Sequence, residues 1–359
     1  ARQSIVLLKN QDNLLPLQKT LKSVAVIGPN ADEQKELICR YGPSNAPIKT
    51  VYKGIKEALP RAKVVYKKGC EIVDPHFPES EVLPFDITPK EQQMMDEAIE
   101  AAKSAEVVIM VLGGSEVTVR EERSRTSLDL PGRQEELLKA VCKLGKPTIL
   151  VMIDGRASSI NYAKKYVPAI LHAWFPGEFC GQAVAETIFG DNNPGGRLAV
   201  TFPKSVGQIP FAFPFKPGSD SGCGTSVTGA LFPFGHGLSY TTFEYSNLRI
   251  SPEQQGVLGE VKVSCTVKNT GKRIGDEVVQ LYLRDEISSV TTYVKILRGF
   301  ERITLQPNEE KEVTFTLSPQ DLAIWDKNMK FQVEPGTFKV MIGASSKDIK
   351  LEGKFTINK

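Results

Sequence analysis

The chain has 359 residues, enough for two or three domains with sizeable cores. It is 41% hydrophobic and 24% charged, the balance of a globular protein rather than a disordered one. A formal net charge of +3 is too small to point to nucleic acid or an anionic membrane as partner, and no apolar run approaches the roughly 20 residues that span a bilayer.

The N-terminus, ARQSIVLLKN, has no initiator methionine and no signal-peptide pattern, so it reads as the interior of a longer polypeptide. Its apolar core, Ile5 to Leu8, predicts a helix-like amphipathic segment. Leu21 to Gly28 is a β-branched run closed by Gly28-Pro29-Asn30, as expected of a buried strand. That turn is not a dinucleotide loop: GxGxxG is absent and Pro29 lacks an amide donor. Ile48 to Leu59 has helical periodicity, and Ala62 to Tyr66 is a short strand. A proline-rich connection, Glu79 to Thr88, leads into a helix over Pro89 to Ala105, with Thr88 as N-cap and Pro89 at its first position.

Ala105 to Gly113, AEVVIMVLG, is the most apolar strand. A glycine pair and a charge-dense loop follow. Glu121 and Glu122 lie there among Arg120, Arg123 and Arg125, before a helix over Gly132 to Leu144. Charge clusters usually face water, but strand, glycine turn, loop and helix is also how α/β proteins present chemistry at the carboxyl end of a sheet. Strands are expected at Pro147 to Ile153 and Pro168 to Trp174, and helices at Ile160 to Lys165 and Gly181 to Phe189, the last stopped by GDNNPGG. This alternation predicts an α/β domain, a mostly parallel sheet with helices on both faces.

From about Leu198 the pattern changes. Thr201 to Gly237 is rich in Pro, Gly and Phe and reads as a connection. Beyond Tyr245 come short strands at Val261 to Lys268, Glu277 to Arg284, Lys311 to Leu317 and Thr337 to Gly343, the composition of an all-β sandwich. Asn269-Thr270-Gly271 reads as a hairpin turn. Cys39, Cys70, Cys142, Cys180, Cys223 and Cys265 form no CxxC pair, and with three histidines no zinc, other metal or cofactor site is expected. Most read as buried free thiols, with one or two disulfides left open.

Several motifs coincide. They include SIVLLKN (Ser4 to Asn10), VAVIGPNAD (Val24 to Asp32), AWFPGEFCGQAVAETIFGDNNPGGRLAVTFP (Ala173 to Pro203), LFPFGHGLSYTTFEY (Leu231 to Tyr245) and LRGFERITLQPNEEKEVTFTL (Leu297 to Leu317). Together they resemble the C-terminal part of family 3 glycoside hydrolases, the β-glucosidase and β-xylosidase group. The resemblance implies an α/β sandwich domain over 1–203, a connection over 204–244, and a fibronectin type III-like domain over 245–359. It also implies a preceding barrel, absent here, that supplies the nucleophilic aspartate and most of the sugar site.

In that family the α/β domain lends the general acid/base glutamate, on a loop that reads E-x-x-(D/S)-R. Glu121-Glu122-Arg123-Ser124-Arg125 fits, and counting back from Arg125 selects Glu121 as proton donor. Glu122 stands where glycine or another small residue is frequent, which keeps it a rival. Glu122, Arg125 and Trp174 are candidate substrate contacts. An arginine is expected to pair with Glu122 or Asp129, leaving Glu121 to face the sugar. His172 reads as a satisfied core histidine, His236 as structural, and Trp325 as a core anchor rather than a sugar platform.

The resemblance implies an oligosaccharide or glycoside substrate, the enzyme's own barrel as partner, a periplasmic or extracellular location, and no turnover by the isolated chain. With its barrel-facing surface uncovered, the chain is expected to self-associate. A non-catalytic carbohydrate- or protein-binding module of the same fold is the competing reading. A nucleotide-binding domain is disfavoured, since no phosphate-binding glycine loop follows any strand.

Overall fold

The computed structural model describes residues 1–34, 45–219 and 226–359. Cys39 and Cys223 therefore lie outside the described residues. Two compact units form, Ala1–Gly196 with Phe202–Val206, and Arg197–Thr201 with Gly207–Lys359.

The first unit is built on six strands: β1 (Val6–Asn10), β2 (Ser23–Ile27), β3 (Lys63–Lys67), β4 (Val107–Gly113), β5 (Thr148–Ile153) and β6 (Ala169–His172). Its helices are α1 (Val51–Ala58), α2 (Pro89–Lys103), α3 (Gln134–Cys142), α4 (Asn161–Tyr166) and α5 (Cys180–Phe189). The sheet order is β1-β6-β5-β4-β2-β3, parallel throughout except at β1. Val108 to Leu112 and Ile149 to Ile153 are wholly buried, as continuous apolar runs in a sheet covered on both faces must be. Burying each such side chain contributes about 1.5–3 kcal/mol.

α2 starts as the sequence predicts. The Thr88 hydroxyl accepts the Glu91 amide (3.2 Å), and the Glu91 carboxylate accepts the Thr88 amide (2.8 Å), a reciprocal cap. α5 stops at Gly190, whose φ of 81° is left-handed, as the glycine in GDNNPGG predicts. The helix-like reading of Ser4 to Asn10 is corrected: Val6–Asn10 is an edge strand, antiparallel to β6. Ile5 to Leu8 are all buried. A short apolar run buried on every side carries no period that separates helix from strand. Cys70, Cys142, Cys180 and Cys265 are free thiols.

The second unit contains β7 (Phe243–Ser251), β8 (Gln254–Gly256), β9 (Val261–Asn269), β10 (Gly275–Asp285), β11 (Ile296–Leu305), β12 (Glu310–Leu317), a one-turn helix α6 (Pro319–Leu322), β13 (Ile324–Trp325), β14 (Phe331–Gln332), β15 (Gly336–Gly343) and β16 (Ile349–Asn358). Sheets ordered β11-β10-β15-β16-β8 and β12-β9-β7 enclose a core that includes Val263, Cys265, Leu281, Val313 and the stacked rings of Phe338 and Phe355.

Two expectations fail in this unit. Asn269-Thr270-Gly271 is not a hairpin turn, because β9 and β10 belong to different sheets. Asn269 is fully buried there. Its Oδ1 accepts from Thr241 Oγ1 (2.7 Å) and the Gly271 amide (3.0 Å), and its Nδ2 donates to the carbonyls of Arg273 (2.8 Å) and Leu305 (3.0 Å). Trp325 is not a core anchor: it is 59% exposed on the small β13–β14 hairpin.

Candidate active-site loop

In the first unit β2 and β4 are neighbours whose onward connections diverge. The chain after β2 proceeds to β3 on one side, and after β4 to β5 and β6 on the other. This is the topological switch point, where α/β sheets place their sites. The loop carrying Glu121 and Glu122 leaves the sheet there.

The loop is pinned at both ends. Gln134, at the start of α3, accepts the Gly113 amide through Oε1 (2.8 Å) and donates Nε2 to the Gly113 carbonyl (2.8 Å), so the last loop residues are clamped to the first. Gly113, at φ 146°, has no room for a side chain, since a Cβ would lie 2.0 Å from the Ile153 carbonyl oxygen. Asn30, after β2, donates to the Gly114 carbonyl (3.0 Å). Ser115 and Thr118 close a buried turn, with the Thr118 hydroxyl accepting the Ser115 amide (2.9 Å).

From the end of β5, Arg156 reaches across to hold the loop on either side of the two glutamates. Its guanidinium donates to the carbonyls of Thr118 (2.9 Å) and Arg123. Asp154 sets this arginine, accepting the Arg156 amide (3.0 Å) and the Ser158 hydroxyl (2.6 Å). Burial pushes the Asp154 carboxyl above the usual carboxylate range, against the opposing pull of Ser158, the Arg156 amide and the nearby guanidinium groups. Farther along, the Leu128 carbonyl accepts the Ser159 amide (2.8 Å).

Contrary to the sequence reading, no arginine forms an ion pair with Glu122 or with the Asp129 carboxylate among the described residues; Arg125 turns elsewhere. It forms an ion pair with Glu81 of the proline-rich connection, and the two side chains are only 5% and 7% exposed. Arg125 also donates to the Asp129 main-chain carbonyl (3.0 Å), while Glu81 accepts the Thr126 amide (2.8 Å) and hydroxyl (2.9 Å). Burial alone would raise the Glu81 carboxyl, but the Thr126 amide and Arg125 outweigh it, and the net direction is below the ordinary value. The pair lines a cleft of about 290 Å³ with Phe85, Asp129 and Arg133, which Glu121 and Glu122 do not line.

Between these anchors the loop tip is exposed. The Arg123 amide closes a turn onto the Arg120 carbonyl (3.3 Å), and Glu122 takes a left-handed φ of 62°. That conformation disfavours any residue with a Cβ. It supplies a physical reason for small residues at this place in the resembling pattern. Glu121 and Glu122 are both solvent-exposed. Arg120 reaches Glu116 (3.4 Å).

Trp174 lies at the end of β6, separated from β4 by β5 in the sheet. It is half-buried at φ 61°, with its ring 4.2 Å from His172 and 6.3 Å from Phe202. The structure places its main chain at the same sheet edge as the loop. Gly155 fills the gap between: a Cβ there would meet Phe175 at 2.8 Å and Val119 at 2.7 Å. His172 is fully buried and its Nδ1 accepts the Trp174 amide (3.2 Å), which leaves Nε2 without a hydrogen bond. Burial lowers its pKa to about 3, against the opposing pull of the Arg156 main chain.

Residues 5–240 match the glycosyl hydrolase family 3 C-terminal domain, and residues 277–346 a fibronectin type III-like domain. The chain belongs to glycosyl hydrolase family 3. It is 44% identical to a β-xylosidase of Formosa agariphila, covering 97% of this chain and 48% of that protein. It is 40% identical to a periplasmic β-glucosidase of Salmonella typhimurium, covering 99% and 49%. A β-glucosidase structure from Erythrobacter marinus superposes with a TM-score of 0.90 at 36% identity, covering 99% of this chain and 49% of that one. The chain thus spans about half the length of the relatives it matches.

Within this family 3 chain, sequence reasoning missed Glu81, Asp154, Arg156 and Gln134 as parts of the loop's support. Asp154-Gly155-Arg156 directly after an apolar strand was a usable signal, because charged residues at strand carboxyl ends gather at the switch point. The Glu81–Arg125 pair, 44 residues apart, left none.

Proposed function

We propose that this chain is the C-terminal part of an exo-acting retaining β-glycosidase that removes terminal β-D-glucosyl or β-D-xylosyl residues, with Glu121 as general acid/base. The observation that carries the reading is an exposed glutamate at the tip of a loop clamped at both ends to the switch point of a parallel sheet. A retaining glycosidase needs two carboxyl groups about 5–5.5 Å apart across the glycosidic bond, one attacking and one donating then accepting a proton. Glu121 takes the second role. The nucleophilic aspartate comes from a barrel domain of the same enzyme, so this chain alone does not turn over. Glu122 and Trp174 flank the sugar. Arg125 acts by holding the loop through Glu81. The periplasmic relative favours a periplasmic or extracellular setting.

The test is Glu121→Gln and Glu122→Gln in the barrel-containing enzyme. Glu121→Gln lowers kcat/KM on alkyl glycosides and disaccharides by about 10²–10⁴-fold, and far less on aryl glycosides with activated leaving groups. Glu122→Gln stays near the parent enzyme. Equal loss on both substrate classes, or the large loss appearing only in Glu122→Gln, overturns the assignment.

A further inference from the structure

The second unit contains a cleft of about 640 Å³ that the proposed chemistry does not use. Its rim is aromatic. Trp325 (59% exposed) and Phe331 (51%) face one another across the β13–β14 hairpin with ring centroids 5.4 Å apart, and Tyr293 (42%) also lines the cleft. The hairpin is held rigid from beneath. Asp326 is buried and accepts the amides of Asn328 (2.8 Å) and Lys330 (2.9 Å) through Oδ1, and Gln332 Nε2 (2.9 Å) through Oδ2. Exposed aromatics fixed in place are what a stacking platform requires.

Two buried polar atoms of the lining lack a hydrogen-bond partner. Arg298 Nε is buried without a hydrogen-bond partner, although the Asp321 charge acts on its guanidinium. Asp285 Oδ1 is likewise buried and unpartnered. Burying polar atoms without partners is costly, so such groups mark a place where a ligand completes the hydrogen bonding. The charges balance: Lys216, Lys327 and Arg298 stand against Asp285, Asp321 and Asp326. A phosphate or other strong anion gains nothing from that balance, and a purely apolar ligand leaves Arg298 and Asp285 unsatisfied. A neutral ring with C–H faces for the aromatics and hydroxyls that both donate and accept fits every part.

We propose that the Trp325–Phe331–Arg298–Asp285 cleft is a second, non-catalytic sugar-binding site that takes a pyranose unit of a β-linked oligosaccharide. The choice of β-linked sugar rests on the glycosidase reading above; the site itself does not involve Glu121.

The chain has two tryptophans, Trp174 and Trp325, so 5-fluorotryptophan labelling gives two fluorine resonances, which Trp325→Phe assigns. Titrating this chain with cellobiose and xylobiose shifts the Trp325 signal saturably and leaves Trp174 in place. Arg298→Met, read by the same resonance, and Trp325→Ala, read by isothermal titration calorimetry, each weaken binding by at least about 10-fold while circular dichroism and thermal melting confirm that they fold. An unmoved Trp325 signal, or a shift at Trp174 alone, overturns the proposal. So does a Trp325 signal that ignores the sugars but moves when the separately produced barrel domain is added. These results are independent of hydrolysis by Glu121→Gln in the longer enzyme, so either reading can fail without the other.

Discussion

The Glu81–Arg125 pair gives the sharpest test of how the loop is held. Both side chains have little exposed surface, so deleting one leaves a charge with limited access to water. Breaking such a pair costs about 3–5 kcal/mol. The two halves are unequal. Without Arg125 the Glu81 carboxylate keeps two bonds from Thr126, whereas without Glu81 the guanidinium keeps only the Asp129 carbonyl and Thr126 loses its acceptor. Glu81→Ala is therefore the worse variant, near the upper end of that range, and Arg125→Met falls near the lower. The double variant removes both charges and recovers part of the loss, giving a coupling of about 3 kcal/mol in a double-mutant cycle. Urea denaturation of this chain reads the cycle. In the longer enzyme the same single variants lower kcat/KM by about 10–100-fold, because a displacement of the acid/base by an ångström is enough to do so. Single variants within about 0.5 kcal/mol of wild type, or additive losses, refute the reasoning.

Glu122→Gly relieves the left-handed φ of 62°. It holds or raises stability by up to about 1 kcal/mol while kcat/KM of the longer enzyme falls by less than about 10-fold, whereas a loss of about 10²-fold or more confined to poor leaving groups makes Glu122 the acid/base. His172 is neutral in the folded chain, with a pKa of about 3. The unfolded chain takes up its proton near the ordinary value of about 6.5, so stability falls as pH drops from there towards 3, by about 1.4 kcal/mol per unit. His172→Gln flattens that slope in denaturation at successive pH values, and an unchanged slope sinks the assignment. Gly54→Ala sets a methyl group 2.0 Å from the Gly181 carbonyl oxygen, where α1 and α5 pack. A thermal melt should record a loss of about 3 kcal/mol or more, because main chain must move to admit it.

What could be read from sequence follows the range of the interactions involved. β2, β4 and β5 are announced by consecutive apolar residues, and α2 by Thr88, Pro89 and Glu91, because these signals lie within one element. β7, β11 and β16 were not singled out, since each has a largely exposed or half-buried face and a dilute apolar pattern. Trp325 was misread because a tryptophan in a β domain usually joins the core, and nothing local states that Asp326 freezes its hairpin outward. The loop's position and its glutamates were legible. Its anchors were not, since Arg156 meets loop carbonyls 38 and 33 residues away.

The distribution of these anchors bears on mechanism. Hydrogen bonds from Asn30, Arg156, Ser159 and Gln134, and those that Glu81 accepts from Thr126, fix the loop on both sides of the tip, and residues 121–124 at the tip are exposed. A charged loop whose only task is solubility needs none of that support, because exposed charges contribute little through fixed geometry. A proton donor needs it, since its carboxyl must be held within a fraction of an ångström of the leaving oxygen. A glycosidase general acid also works desolvated, and Glu121 is exposed. Under the proposed function the surface that brings the nucleophile must therefore also cover this tip. The same contact then positions the partner carboxylate and excludes water from Glu121. It follows that the barrel, added in trans, should protect the amides of residues 120–124 from hydrogen exchange. Unaltered exchange at the tip in a mixture that has regained activity would separate the loop from the chemistry.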